Sequence, residues 1–301
     1  MVAAREDFNK ARNKAFFSKI MNLMNSERDK LLSFHDVKDI LKPKGEFYRG
    51  LQLVPIKLIV GSEGRYRDFN KYFLPKSEFI RTRWESINRA QRNLISLPPI
   101  QLYEIGGAYF VRDGNHRVSV AKINGGEDID AEVISLSSEI EITPSMTVND
   151  LKKAVLDFEK KMFYEKTDYL KITGDENLDF TIPGRYDTVY SHIIVHKYFL
   201  NQKTESEIPF ETALLSWYSE VYKPILNVIE EFELCRHFPD KNKNDLYVYI
   251  VKHWDFLKRK NGIYSIEDAA NDFTRKYGKE KGIIYRLVSF ILRCLGGNKK
   301  K

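Results

Sequence analysis

The 26 residues 109–134, YFVRDGNHRVSVAKINGGEDIDAEVI, decide how the rest of this chain is read. A β-rich run reaches a glycine turn at Gly114, and a helical pattern begins almost at once. The first amides of such a helix have no partner within the helix, and its dipole adds positive charge there. Phosphate is the natural guest of that geometry. Around it stand Asp113, Asn115, His116 and Arg117, with a forked donor in Arg117 and a titratable one in His116. The residues alone also allow a plain strand–turn–helix junction, in which Asp113 caps the helix and Arg117 pairs with that acid.

Working outward, Val118–Asn124 fits a helix stopped at Gly125-Gly126, and Ile129–Leu136 a strand. Upstream, Ile100–Ile105 and Ala108–Arg112 flank Gly106-Gly107, a two-residue hairpin signal. Leu97-Pro98-Pro99 closes a helix predicted over 77–94, and Leu53–Val60 (LVPIKLIV) reads as one strand ending at Gly61. The implied fold class is α+β, a small mixed sheet over 45–142. Helices at 5–24 and 33–41 occupy the N-terminal 1–44, the second started by Ser33 and ended by Pro43 and Gly45. Residues 143–278 read as all-helical, with helices at 147–164, 186–201, 209–234, 243–260 and 265–277. Residues 279–301 form a basic amphipathic tail.

The chain has 301 residues and a formal charge of +7, with 43% apolar and 13% aromatic residues. That composition lies far from disorder. Two cysteines, Cys235 and Cys294, are too few for a disulfide framework. No run reaches 18 apolar residues and the N-terminus lacks a secretory signal, so a soluble, cytoplasmic protein is expected. The charge is uneven. Residues 275–301 hold nine basic residues against Glu280, a net +8, which leaves −1 for everything before them. From Lys57 to Arg92 nine basic residues face four acids, whereas 93–150 carries a net −6. The basic block could meet a polyanion, with Arg65, Arg67, Arg81 and Arg83 as nucleic-acid contacts, or it could be a solvated face answering its acidic neighbour.

The segment from Tyr109 to Ile134 resembles the core of the ParB/sulfiredoxin superfamily, where a strand enters a Gly-x-x-Arg-x-x-x-Ala turn and helix. Gly114, Arg117, Ala121 and Lys122 match it, while VPIKLIV and LPPIQLYEIGG resemble the family's first strand and its hairpin. The likeness covers about residues 50–137, and the whole-chain pattern is similar to a bacterial ParB-like branch. It implies a turn that binds nucleotide phosphates in a ParB/sulfiredoxin-like fold. Sulfiredoxin carries a cysteine where Asn115 stands, so its thiolate chemistry is not expected. The Glu-Asn-x-Gln-Arg motif of partition-type members is absent from the chain. The free-serine-kinase branch has an Asp-Gly-x-His-Arg turn similar to Asp113–Arg117 and a catalytic Glu after its first strand, which matches Glu63 here.

The expectation is therefore a nucleotide- or phosphate-binding protein, extending to a nucleotide-dependent phosphotransferase or NTPase. In it Glu63 and His116 are catalytic, and Asp113, Gly114, Asn115, His116 and Arg117 bind phosphate. A nucleoside di- or triphosphate is the expected cofactor, with Asp113 able to hold Mg²⁺. The alternative is a non-catalytic ParB-like regulator that binds DNA. His192 and His196 share a helix face but lack further zinc ligands, so neither zinc nor haem is expected. Trp217, Tyr218, Tyr222 and Tyr186 read as core. The apolar stretch 283–295 is too short to cross a bilayer and would dock on the helical part, contact a partner, or lie in an anionic membrane surface.

Overall fold

A computed structural model describes residues 2–22, 26–202, 204–262 and 265–278. The tail call at 279–301, with its apolar stretch 283–295, lies outside the described residues. The chain divides into two compact units, 1–155 and 156–301.

The first unit is α+β. Helix α1 (Val2–Met21) is followed by strand β1 (Leu32–Ser33) and helix α2 (Phe34–Leu41). Ser33 caps α2 by accepting from the Asp36 amide, and Lys42 ends it in the left-handed region. Strand β2 (Glu46–Pro55), a 3₁₀ turn at Ile56–Leu58 and strand β3 (Ile59–Ser62) come next. Residues 53–60 are thus not the single strand expected. Pro55 has no N–H to continue a ladder, and the chain leaves β2 there to enter the sheet again as β3. Helix α3 (Arg81–Arg92), strands β4 (Ile100–Ile105) and β5 (Ala108–Asp113), helix α4 (Asn115–Ile123) and strand β6 (Asp128–Leu136) complete the unit.

The six strands form one mixed sheet in the order β1-β3-β5-β4-β6-β2. Strand β5 lies parallel to β3 and antiparallel to β4, its hairpin partner across Gly106-Gly107. Helices α3, α4 and α1 cover the sheet through Phe8, Trp84, Val118 and Val120, all sealed from solvent. Phe8 meets Trp84 edge to face at 5.5 Å. The Trp84 indole donates to Ser119 Oγ at 2.9 Å, and Ser119 donates in turn to the Phe73 carbonyl at 2.6 Å. That chain of bonds fixes α4 against α3 and against the long 63–77 loop.

The second unit is helical. Helix α5 (Val148–Thr167) crosses the division between the units, followed by α6 (Tyr169–Thr173), α7 (Arg185–Asn201) and α8 (Phe210–Trp217). A π-helical turn at Tyr218–Tyr222 joins α8 to α9 (Lys223–Glu231), where Pro224 interrupts the amide ladder of the expected 209–234 helix. Helices α10 (Lys243–Asn261) and α11 (Ile266–Tyr277) end the described chain. Trp217 stacks on Tyr222 at 5.0 Å inside the core, as the aromatic spacing implied. No helix among the described residues is long and apolar enough to cross a membrane.

Candidate functional site

The turn after β5 owes its shape to Gly114, which sits at φ +108° as the residue before α4. A Cβ there would lie 2.4 Å from Ile100 Cγ2. Only glycine meets both demands. Gly114 replaces Asp113 as the residue at the cap, and no side chain caps the first amides of α4. They stay open toward the turn.

Arg117 is turned inward. Its guanidinium donates to the carbonyls of Pro98 and Pro99 and pairs with Asp113, leaving the side chain 13% exposed. The Asp113 carboxylate itself is 70% exposed. So the pairing foreseen as the plain reading of the turn is present, and Arg117 ties β4's approach to α4. On its outer flank a cleft of 340 Å³ carries Asp128 and Asp130, which would repel an anion.

The other flank differs. Asn115 and His116 open α4, and Asn115 Oδ1 and His116 Nδ1 are buried with no hydrogen-bond partner among the described residues. Leaving such atoms unpaired costs about 1–3 kcal/mol each. The His116 ring meets Phe69 edge-on at 5.6 Å. Burial first, then the charges of Arg65 and Arg83, push its pKa down to about 4, against the opposing pull of Asp68. At neutral pH the imidazole is therefore uncharged, and two guanidinium groups act on the same spot. Arg65 pairs with Asp68 at 3.0 Å, while Arg83 is exposed and meets no acid among the described residues.

The remaining expected residues are dispersed. Arg81 is engaged by Glu78, Glu85 and Asn9 and lies 4.4 Å over the Phe8 ring. Arg67 is exposed, 5.6 Å from the Tyr66 ring. Glu63 directly follows β3, its amide donating to Val111 at 3.0 Å, and its carboxylate makes no hydrogen bond or ion pair among the described residues. Its charge acts on Lys38, whose pKa is raised chiefly by a hydrogen bond to Glu46 and in smaller part by Glu63.

The loop that completes the site was not legible from spacing. Ser62 is fully buried, donates to the Val111 carbonyl at 3.2 Å and accepts from the Arg65 amide. Asn70 accepts from the amides of Tyr72 and Leu74. Together they hold Arg65, Asp68 and Phe69 beside α4. A polar residue at the end of β3, Ser62, and another in the middle of the loop, Asn70, were the available signal.

No group of three or more His, Cys, Asp or Glu able to hold a metal exists among the described residues. His192 bonds Tyr247 at 3.0 Å and His196 bonds Ser216 at 2.9 Å, each with its own partner. Asp113 alone fits Mg²⁺ only as a single carboxylate beside phosphate oxygens that the nucleotide itself would bring.

No family model matches the chain, and no curated protein matches it. Among solved structures the chain is similar to one described as the C2221 form of a Pnob8-like ParB-N domain. The sequence identity is 11% and the TM-score 0.20, with 83% of this chain and 99% of that one covered. A likeness of that size carries no weight beside the residues of the turn.

Proposed function

We propose that this protein binds the phosphate groups of a nucleotide at the start of α4. The observation that carries the reading is the pair of buried, unpartnered atoms on Asn115 and His116, set beside open helix amides and the charges of Arg65 and Arg83. A phosphate oxygen accepts from the helix amides and from an imidazole N–H, and rotation of the Asn115 amide offers its NH₂ as a further donor. Arg83, in the first turn of α3, adds its positive charge at His116, and Arg117 acts by holding the turn in shape. The exposed Asp113 carboxylate, whose Oδ2 pairs with Arg117, then meets a nucleotide-borne Mg²⁺ through its other oxygen.

The finer reading is phosphoryl transfer. Glu63 is the base that takes the proton of a hydroxyl nucleophile as its oxygen bonds the γ-phosphorus and the nucleoside diphosphate leaves, because its carboxylate is unbonded and directly follows the strand beside β5. Phosphoryl transfer asks mainly for positioning and charge neutralisation, which the turn supplies. A binding screen with ATP, ADP, CTP and GTP tests the site. Wild type should bind at least one of them, and Arg83→Ala and His116→Gln should each weaken it about tenfold, near 1.4 kcal/mol. No binding to any nucleotide overturns the reading. Glu63→Gln should keep the binding and lose turnover, and equal turnover removes the base role.

DNA binding is the second reading, favoured by the exposed guanidinium groups of Arg67 and Arg83. Arg81 is already engaged within the fold and does not join them. Duplex affinity should then fall steeply with salt, and a salt-insensitive or absent signal ends it.

A further inference from the structure

At the opposite end of α4 the first unit opens a cleft of 510 Å³. Its charged lining is five lysines, Lys14, Lys30, Lys57, Lys71 and Lys122, and no acid lines it among the described residues. They arrive from five places: α1, the segment before β1, the 3₁₀ turn before β3, the 63–77 loop and the last turn of α4. The floor is apolar, built from Leu32, Ile59, Val60, Leu74 and Met146.

Most of these ammonium groups lack an answering charge. Lys30 pairs with Glu27 at 2.5 Å. Lys71 lies 5.8 Å from the Tyr72 ring. Lys14 and Lys57 meet no acid among the described residues. Lys122 is the deepest, with Nζ donating to the Ile59 carbonyl at 3.1 Å and lying 4.7 Å over the Phe73 ring. Burial alone lowers its pKa to about 8, so near neutrality it is held charged in a place that disfavours charge. An anion that enters meets ammonium groups from five separate elements around one apolar-floored cleft, and its charge is answered by several of them together.

We infer that this cleft binds a compact anion carrying two or more phosphate groups, held by Lys57, Lys71 and Lys122 with Lys14 and Lys30 at the rim. The assignment stands apart from the turn at Asp113–Arg117, since it uses none of that turn's residues. The apolar floor excludes water from one side of the ligand, which strengthens each attraction. The cleft volume suits a small molecule, and convergence of the lysines from separate elements makes a pocket rather than a stripe along a surface.

Site-resolved trace acetylation of the full chain tests it, with inorganic tripolyphosphate as the probe. Tripolyphosphate should slow acetylation of Lys57, Lys71 and Lys122 at least fivefold and leave Lys171 and Lys252, exposed in the second unit, unchanged. The protection should persist in Arg83→Ala, which weakens only the turn. In the Lys57→Gln/Lys71→Gln double variant, which changes one exposed and one half-buried residue and none of the buried core, protection of Lys122 should be lost. No protection in wild type overturns the inference, as does equal slowing of all lysines. It is also overturned if duplex DNA protects the same three lysines and tripolyphosphate does not, which would make the cleft part of a nucleic-acid surface.

Discussion

The first turn of α4 presents amides and the positive end of the helix dipole, and its last turn presents carbonyls and the negative end. The fold treats the two ends differently. At the first turn the backbone itself is the anion receptor, so few side chains are needed, and the strongest of them, Arg117, is committed to Pro98, Pro99 and Asp113. At the last turn the dipole favours cations, and a lysine sits there with four more around it. An anion can be received at either end. At the start it meets fixed dipoles, whereas at the finish it meets ammonium groups on flexible side chains. The first kind of site depends on backbone shape and the second on side-chain charge, and that contrast can be broken in steps.

The largest effect belongs to backbone shape. Gly114→Ala places a methyl group 2.4 Å from Ile100 at φ +108°. Strain in the left-handed region adds to overpacking, for a loss of about 3 kcal/mol in denaturant unfolding. Phosphate binding at the turn should vanish in the folded fraction, because the amides no longer converge. A loss under about 1 kcal/mol would mean that the turn relaxes, and that the start of α4 is less rigid than its geometry implies.

The next effect is electrostatic. His116 has its pKa lowered to about 4 in the fold, so between there and its ordinary value of 6.5 the unfolded chain holds more protons. Stability therefore rises with pH through that window and is lost as pH falls through it. Allowing for solvent near the ring, the share of His116 is about 1–2 kcal/mol between pH 7 and 4. His116→Gln should flatten the pH dependence by that amount, leaving the slope due to His192, which burial also holds near 4. A phosphate bound at the turn should raise the His116 pKa in a histidine NMR titration. Tripolyphosphate confined to the lysine cleft should leave it where it is, so the titration separates the two ends of the helix.

How much of this was legible in the sequence follows the same contrast. The turn, the hairpin at Gly106-Gly107 and the Ser33 cap are local devices, each written in adjacent residues, and the structure holds all three. The run Leu53–Val60 misled because an apolar stretch looks alike whether it forms one buried strand or two strands divided at Pro55. Strand β2 begins earlier than expected because Phe47, Tyr48, Leu51 and Leu53 are exposed and do not alternate cleanly. Arg81 read as a free cation because its partners Asn9, Glu78 and Glu85 are assembled partly by the docking of α1. The lysine cleft was invisible for the same reason taken further. Its five lysines span positions 14 to 122 and share no pattern in sequence. Only the sheet and its covering helices bring them to one place.

The smallest effect is the sharpest test of what holds Lys122 near 8. Burial is the sole cause of its lowered pKa, with no part contributed by the other lysines. Replacing the exposed Lys57 and the half-buried Lys71 in Lys57→Gln/Lys71→Gln should thus change stability by less than about 0.5 kcal/mol. It should also leave the Lys122 pKa in place, read from the pH dependence of its acetylation. A rise toward the ordinary lysine value in that variant would show that neighbouring charge, rather than the apolar floor, depresses it. The cleft would then be an electrostatic cluster open to water, its anion affinity would fall steeply with salt, and the difference between the two ends of α4 would lie in charge alone. A fixed pKa in the variant, with a rise in wild type only when tripolyphosphate is present, means that the walls of the cleft set the state of Lys122 and the ligand changes it.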